Sequence, residues 1–102
     1  MDRRLVVRPL AEADIEEAAR WYEGEQIGLG SRFLVDLELV LEHTTEAPHQ
    51  FPLVADGTRR ALLRSFPYAI YFRASEHAVL ILAVLHLRRN PGVWRYRTRR
   101  RE

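Results

Sequence analysis

The sequence predicts a single small α+β domain, residues 1–102, in which a helical hairpin packs on a mainly antiparallel sheet. Two segments with a helical repeat come first in the chain, and three segments typical of strands follow them. A short β-prone run precedes both groups, so the predicted order is β-α-α-β-β-β. At 102 residues the chain is long enough to bury one hydrophobic core.

The first strand and the first helix meet at a proline. Leu5-Val6-Val7-Arg8 is β-prone and is closed by Pro9, which favours a strand at a sheet edge. From about Glu12 the period becomes helical. Apolar residues then recur at i, i+3, i+4 and i+7 and form one stripe: Ile15, Ala18, Ala19 and Tyr22.

A second helix is predicted from about Leu29 to Thr45. Glycines mark the turn before it: Gly24, Gly28 and Gly30. Two helices joined by so short a turn pack antiparallel. Arg32 and Asp36 are spaced for an ion pair on the helix surface. The apolar face of this helix comprises Phe33, Leu37, Val40 and Leu41.

After a predicted loop over 46–57, alternation defines the strands. Segment 58–64 places Arg60, Leu62 and Arg64 on one side. Segment 66–73 does the same for Phe66, Tyr68, Ile70 and Phe72. Segment 79–85 is apolar throughout, as expected for a strand that is covered on both faces. His86 has the strand parity of Leu80, Leu82 and Val84, which predicts a position at the margin of the core.

Several classes of site do not fit the residue content. The chain has no cysteine, so a disulfide framework or a thiolate metal site is impossible. No serine has the context of a nucleophile elbow. The four histidines show no ligand spacing: His43, His49, His77 and His86. We therefore expect no cofactor and no metal.

The location of the protein is predicted from its apolar runs. The apolar run before Arg8 is too short to form the apolar core of a signal peptide. The least polar run, 78–87, is too short to span a bilayer. We therefore expect a soluble, cytoplasmic protein.

Charge is distributed unevenly along the chain. Residues 1–56 carry five arginines and twelve acidic residues, a net charge of −7, whereas residues 57–102 carry eleven arginines and two glutamates, a net charge of +9. Arginines interleaved with aromatic residues suit phosphate binding and base stacking. The same arginines also fit the solvated face of an amphipathic strand, and both interpretations stay open. Residues 98–102 are predicted to form a mobile basic tail.

Three stretches carry a family resemblance: Arg59-Arg60, the Phe66-Pro67-Tyr68-x-Ile70-x-Phe72-Arg73 segment, and Val79-x-Ile81-Leu82-Ala83-Val84-Leu85-His86-x-Arg88-Arg89-x-Pro91. They resemble the RelE/ParE superfamily of bacterial toxins, which are often called plasmid stabilisation proteins. The resemblance covers nearly the whole chain. It implies the toxin of a type II toxin–antitoxin system, with a cognate antitoxin that neutralises it by direct binding, in a hetero-oligomer.

The superfamily has two main kinds of target. ParE-like members inhibit DNA gyrase, whereas RelE-like members cut messenger RNA on the ribosome. This chain lacks lysine, on which the RelE-type centre partly relies, and has Trp94 near the place of a catalytic tyrosine. The Phe-Pro-Tyr segment and the His-x-Arg-Arg-x-Pro ending are closer to ParE-like members. The resemblance therefore favours gyrase, with ribosome-dependent cleavage or an inactive or retargeted basic binding module as alternatives.

The candidate site residues follow from these alternatives. If the chain is a metal-independent ribonuclease, the implied catalytic residues are His86, Arg88 and Arg64. The residues expected to bind the target or the antitoxin are Arg60, Arg73, Arg88, Arg89, Trp94 and Arg97. Strand parity alone does not say which of them share a face of the sheet.

Overall fold

Two helices, α1 (Pro9–Glu25) and α2 (Leu29–Glu46), form the hairpin that the apolar periods predict. The computed structural model describes residues 3–88 and 91–99. Proline stands in the first turn of α1, where its missing N–H leaves no helical hydrogen bond unmade. Gly28, with φ 90°, adopts the left-handed conformation just before α2. None of the helices in the described ranges is long and apolar enough to cross a membrane.

Five strands form one sheet in the order β1-β5-β4-β3-β2. β1 runs parallel to β5, and the three other pairings are antiparallel, so the predicted α+β class and mainly antiparallel sheet are confirmed. β1 is an edge strand, as its proline indicates. The strands are β1 (Arg4–Val7), β2 (Leu53–Ala55), β3 (Thr58–Leu62), β4 (Tyr68–Ala74) and β5 (Ala78–His86).

Two elements, besides a three-residue 3₁₀ turn (Pro48–Gln50), extend the predicted order. β2 lies in the segment predicted as a loop, because three residues between Pro52 and the Asp56-Gly57 turn are too few to show alternation. A third helix, α3 (Pro91–Arg99), occupies most of the C-terminal basic segment. Residues 98 and 99 of the predicted tail are thus helical, and residues 100–102 lie outside the described ranges.

The helical hairpin covers one face of the sheet. On this side lie fully buried residues from α2, β4 and β5, among them Phe33, Phe72 and Ile81. Both predicted helical stripes face inward, which confirms them. A smaller cluster occupies the opposite face, where Tyr71 and Ala83 pack with Trp94 of α3. β5 is therefore covered on both faces along much of its length.

The two helices approach closely at Gly30. A Cβ atom on Gly30 would lie 2.6 Å from the carbonyl oxygen of Ala19 in α1. The Glu23 carboxylate accepts hydrogen bonds from the N–H groups of Gly28, at 2.9 Å, and Gly30, at 3.0 Å. A carboxylate at this place satisfies free donors and opposes the positive end of the α2 dipole.

An irregularity in β5 changes which side chains share a face. Tyr71 pairs with Ala83, whereas the next residue, Phe72, pairs with Ile81, so Leu82 is one residue more than regular pairing needs. His86 lies opposite Tyr68 and keeps the parity of Val84. The prediction that His86 shares a face with Leu80 is wrong, because the extra residue reverses the alternation between them. The sequence period alone does not reveal an extra residue.

We expect Gly30→Ala to destabilise the fold by about 1–3 kcal/mol, because the added methyl group must push the two helices apart. Gly24→Ala in α1 is the matched control, since a Cβ there meets nothing within 4 Å. The control should raise stability by about 0.5–1 kcal/mol through helix propensity. Equal unfolding midpoints for the two variants in urea would contradict this account of the helix contact.

Candidate functional site

Arginines of three strands lie on the sheet face away from the helical hairpin. Arg60 of β3 is the cross-strand partner of Tyr71. Arg73 lies two residues beyond Tyr71 on β4 and pairs with Leu80, which in turn pairs with Val6 of β1. We call this surface the basic sheet face and define it by Arg4, Arg60, Tyr71, Arg73 and Trp94.

Aromatic stacking anchors α3 to the basic sheet face. The rings of Tyr71 and Trp94 are nearly parallel, at 3°, with their centroids 5.2 Å apart. The guanidinium of Arg95 lies 5.3 Å from the centre of the Trp94 ring, within range of a cation–π contact. Trp94 therefore packs on the sheet, and it remains partly exposed.

Arg73 is held against the sheet by a buried partner. The Arg73 Nε–H donates to the Thr58 hydroxyl at 3.3 Å, and Thr58 itself is fully buried. Arg59, the neighbour of Arg60, points to the other face and donates to the Phe51 carbonyl oxygen at 2.7 Å. Alternation thus separates two adjacent arginines into one bound to the main chain and one on the basic sheet face.

Arg4 also belongs to this face, although sequence reasoning missed it. Val7 packs in the core beneath the hairpin, so alternation along β1 places Arg4 and Val6 on the opposite side. The side of β1 depends on its parallel pairing with β5, which cannot be derived from the four residues of β1 alone.

The three residues proposed for nuclease chemistry lie elsewhere, at the end of the sheet where β4 begins and β5 ends. The His86 ring packs edge-on against Tyr68, with centroids 5.2 Å apart. The Arg88 main-chain N–H donates to His86 Nδ1 at 3.1 Å, so neutral His86 carries its proton on Nε2. Arg64 is exposed in the loop that leads into β4.

A small pocket opens beside His86, between α1, β5 and α3. Its volume is about 180 Å³, enough for one ring-sized group. Aromatic and acidic side chains share its wall with aliphatic ones: Asp14, Glu17, Ala18, Trp21, Tyr68, Val84, Leu85, His86 and Val93. His86 faces this pocket on the hairpin side, away from Arg60 and Arg73.

The loop with Arg64 is held in place by Asp36. The Asp36 carboxylate accepts hydrogen bonds from the main-chain N–H groups of Arg64, at 3.1 Å, and Ser65, at 2.7 Å. Asp36 is 7% exposed, so the predicted surface pairing with Arg32 is wrong. Asp36 adjoins the apolar face of α2, so its side chain points inward and accepts hydrogen bonds from main-chain N–H groups of the loop.

Arg97 is also bound within the protein. Its guanidinium forms an ion pair with Asp14 of α1, with Nη1 and Oδ2 3.0 Å apart. The remaining predicted contact residue, Arg89, lies outside the described ranges. Of the predicted binding residues, the structure brings together Arg60, Arg73 and Trp94, places Arg88 beside His86, and buries Arg97 at the sheet edge.

Comparison with known proteins identifies the class of this fold. Residues 5–91 match the model of a family described as the ParE toxin of the type II toxin–antitoxin system parDE. The chain belongs to this ParE toxin family. The sequence resemblance to the RelE/ParE superfamily, and its closer likeness to ParE-like members, are therefore confirmed.

Individual relatives agree with this assignment. Toxin ParE2 of Mycobacterium tuberculosis, from strains CDC 1551 / Oshkosh and ATCC 25618 / H37Rv, is 34% identical over 95 residues, which cover 90% of this chain and 89% of the relative. A solved structure titled chromosomal ParDE TA system from P. aeruginosa is similar in fold, with a TM-score of 0.68 at 19% identity. That match covers 83% of this chain and 96% of the other.

We expect Asp36→Ala to destabilise the fold by about 1–3 kcal/mol, because it leaves two main-chain donors without their acceptor. Amide hydrogen exchange at Arg64 and Ser65 should accelerate more than exchange in the strands. Glu38→Ala, an exposed carboxylate on the same helix, is the control and should change neither quantity. Unaltered exchange at Arg64 in the Asp36 variant would show that the loop is held by other contacts.

Proposed function

We propose that this ParE-family toxin inhibits DNA gyrase by binding and that a cognate antitoxin neutralises it by direct contact. Family membership supports the first part, because the sequence motifs resemble ParE-like members rather than the nuclease branch. The observation that carries the proposal is the basic sheet face, which offers a rigid surface for a partner.

The composition of the basic sheet face suits binding rather than a reaction. Its described strand positions include Arg4, Arg60, Tyr71 and Arg73, and no histidine or carboxylate stands among them. Acid–base catalysis needs a group that exchanges a proton near neutral pH, and His86 lies on the other side of the sheet. Arginine and aromatic side chains are also the residues that most often dominate protein interfaces.

A second surface is suited to binding the antitoxin. Between α2 and β1 lies an open groove of about 520 Å³, in which Leu5, Val35 and Leu39 expose apolar side chains beside Glu38 and Glu42. The outer edge of β1 runs along it, so an entering segment could pair with main-chain groups and place alternate side chains on the helix. We infer that the antitoxin uses this groove and that an acidic part of it reaches the arginines.

The gyrase proposal is tested with a purified supercoiling assay. We expect Arg60→Ala combined with Arg73→Ala to weaken inhibition at least about tenfold, because arginine is enriched among the interface residues whose truncation costs about 2 kcal/mol or more. The matched control is Arg20→Ala combined with Arg32→Ala, which removes the same charge from exposed positions on the helices. Equal loss in both double variants would indicate a general charge effect instead.

The alternatives give different results when the chain is expressed alone in bacteria. Gyrase inhibition should arrest DNA synthesis before protein synthesis. Immediate arrest of translation with cuts inside codons would establish the ribosome-dependent ribonuclease, and His86→Ala should then relieve it. Harmless expression, together with salt-dependent binding to nucleic acid, would establish a basic binding module without toxicity.

The antitoxin groove is tested separately from toxicity. We expect Leu39→Glu to weaken neutralisation by the co-expressed antitoxin, since a charge enters an apolar contact, while growth inhibition by the toxin alone persists. Leu10→Glu is the control, because Leu10 is similarly exposed, at 56% against 47%, but lies at the start of α1. Full neutralisation of the Leu39 variant would move the antitoxin site away from this groove.

A further inference from the structure

Along the C-terminal half of β5, side chains rather than a neighbouring strand bind the main-chain groups at the strand edge. β1 pairs only with residues 78–81 of β5, and the chain then turns away from β5 to begin α1. Beyond this point, the Val84 N–H donates to Asp14 Oδ2 at 2.9 Å, and the Leu82 carbonyl oxygen accepts from Arg97 Nη1 at 3.1 Å. Asp14 and Arg97 thus occupy main-chain groups at the edge next to the extra residue of β5.

Asp14 and Arg97 also bind each other through two contacts. Arg97 Nη1 lies 3.0 Å from Asp14 Oδ2, and Nη2 lies 3.2 Å from Oδ1. The side chains are only 15% and 13% exposed. A planar guanidinium held by both carboxylate oxygens and a carbonyl oxygen has one orientation, so α3 has little freedom to slide or rotate along β5.

Fixing Arg97 determines where its neighbours on α3 lie. Trp94 precedes Arg97 by three residues, less than one helical turn, and stacks on Tyr71. Arg95 and Tyr96, between them in sequence, are exposed, Tyr96 at 57%. The Arg95 guanidinium lies over the Trp94 ring and therefore adjoins the basic sheet face.

We propose that Asp14 and Arg97 are positioning residues that set the register of α3 on the β5 edge, and so fix the part of the target-binding surface formed by Trp94, Arg95 and Tyr96. The role of that surface rests on the proposed function, whereas the register of α3 does not. Asp14 lies on α1 and does not contact the target itself. It affects target binding only through the orientation of α3.

The two bonds of Asp14 can be separated. Asp14→Asn keeps an oxygen that can accept the Val84 N–H but loses the charge and the second oxygen that bind Arg97. Arg97→Gln removes the same contact from the other side, on α3. Because the two residues act as one unit, the double variant should be no worse than either single variant.

The register is measured by fluorescence in a Trp21→Phe background, which leaves Trp94 as the single tryptophan. In Asp14→Asn and in Arg97→Gln we expect emission at longer wavelength and stronger acrylamide quenching, with unchanged circular dichroism of the sheet and hairpin. Arg97→Lys keeps the charge but cannot bridge both oxygens, and should give an intermediate result. Unchanged Trp94 emission in both Asp14→Asn and Arg97→Gln would overturn the positioning role.

The functional consequence is measured with the same gyrase assay. We expect both variants to lose about tenfold in inhibition, the level typical of a lost interface anchor. Val40→Ala, a core truncation in α2, is chosen as a control that lowers thermal stability without touching α3. The Val40 variant should retain inhibition at a temperature where it is folded. An equal loss of inhibition in this control would mean that Asp14 and Arg97 act only through overall stability, and it would overturn the proposal.

Failure of this inference and failure of the proposed function look different. If the unsubstituted chain inhibits gyrase and the displaced α3 variants inhibit equally well, α3 is not part of the target surface and the inference is wrong. If the unsubstituted chain does not inhibit gyrase, the proposed function is wrong, and the fluorescence result alone decides whether Asp14 and Arg97 set the register of α3.

Discussion

Burial of β4 and β5 beneath the helical hairpin is the contact on which the rest of this structure depends. Phe72 and Ile81 pair across these strands and are fully buried with Phe33 of α2. Each fully buried apolar side chain of this size contributes about 1.5–3 kcal/mol. Because only one face of the sheet receives the hairpin, strand alternation necessarily turns every second residue to the other face, and there arginines surround a smaller apolar cluster.

Much of this arrangement could be predicted from local periodicity. The helical stripes and the alternation in β3 are set by burial, so they appear directly in the residue pattern and separate Arg59 from Arg60. The extra residue at Leu82 was not predictable, since an apolar run has no polar residue to mark the change of parity. The surroundings of Arg4 and Arg97 were not predictable for another reason: they depend on partners more than 70 residues away in the chain.

The separation of the candidate residues into two locations bears directly on function. Arg60 and Arg73 share a face with Trp94 whose described strand positions carry no carboxylate, whereas His86 lies beside Tyr68 and a pocket on the hairpin side. Charge without a proton-transfer group suits recognition, and the arginine beside His86 is Arg88 rather than Arg60 or Arg73. The geometry is therefore consistent with the ParE family, in which the chain is placed by its sequence.

The extra residue in β5 has a consequence for how such a fold could change its chemistry. A strand has a period of two, so a bulge that takes up one residue turns every later side chain to the opposite face from regular pairing. Deleting Leu82 would remove the bulge and leave His86 opposite Tyr68, whereas regular pairing with Leu82 retained would turn His86 to the side that carries Arg60 and Arg73. The bulge thus decides whether histidine and arginine meet on one surface, without any substitution at either residue.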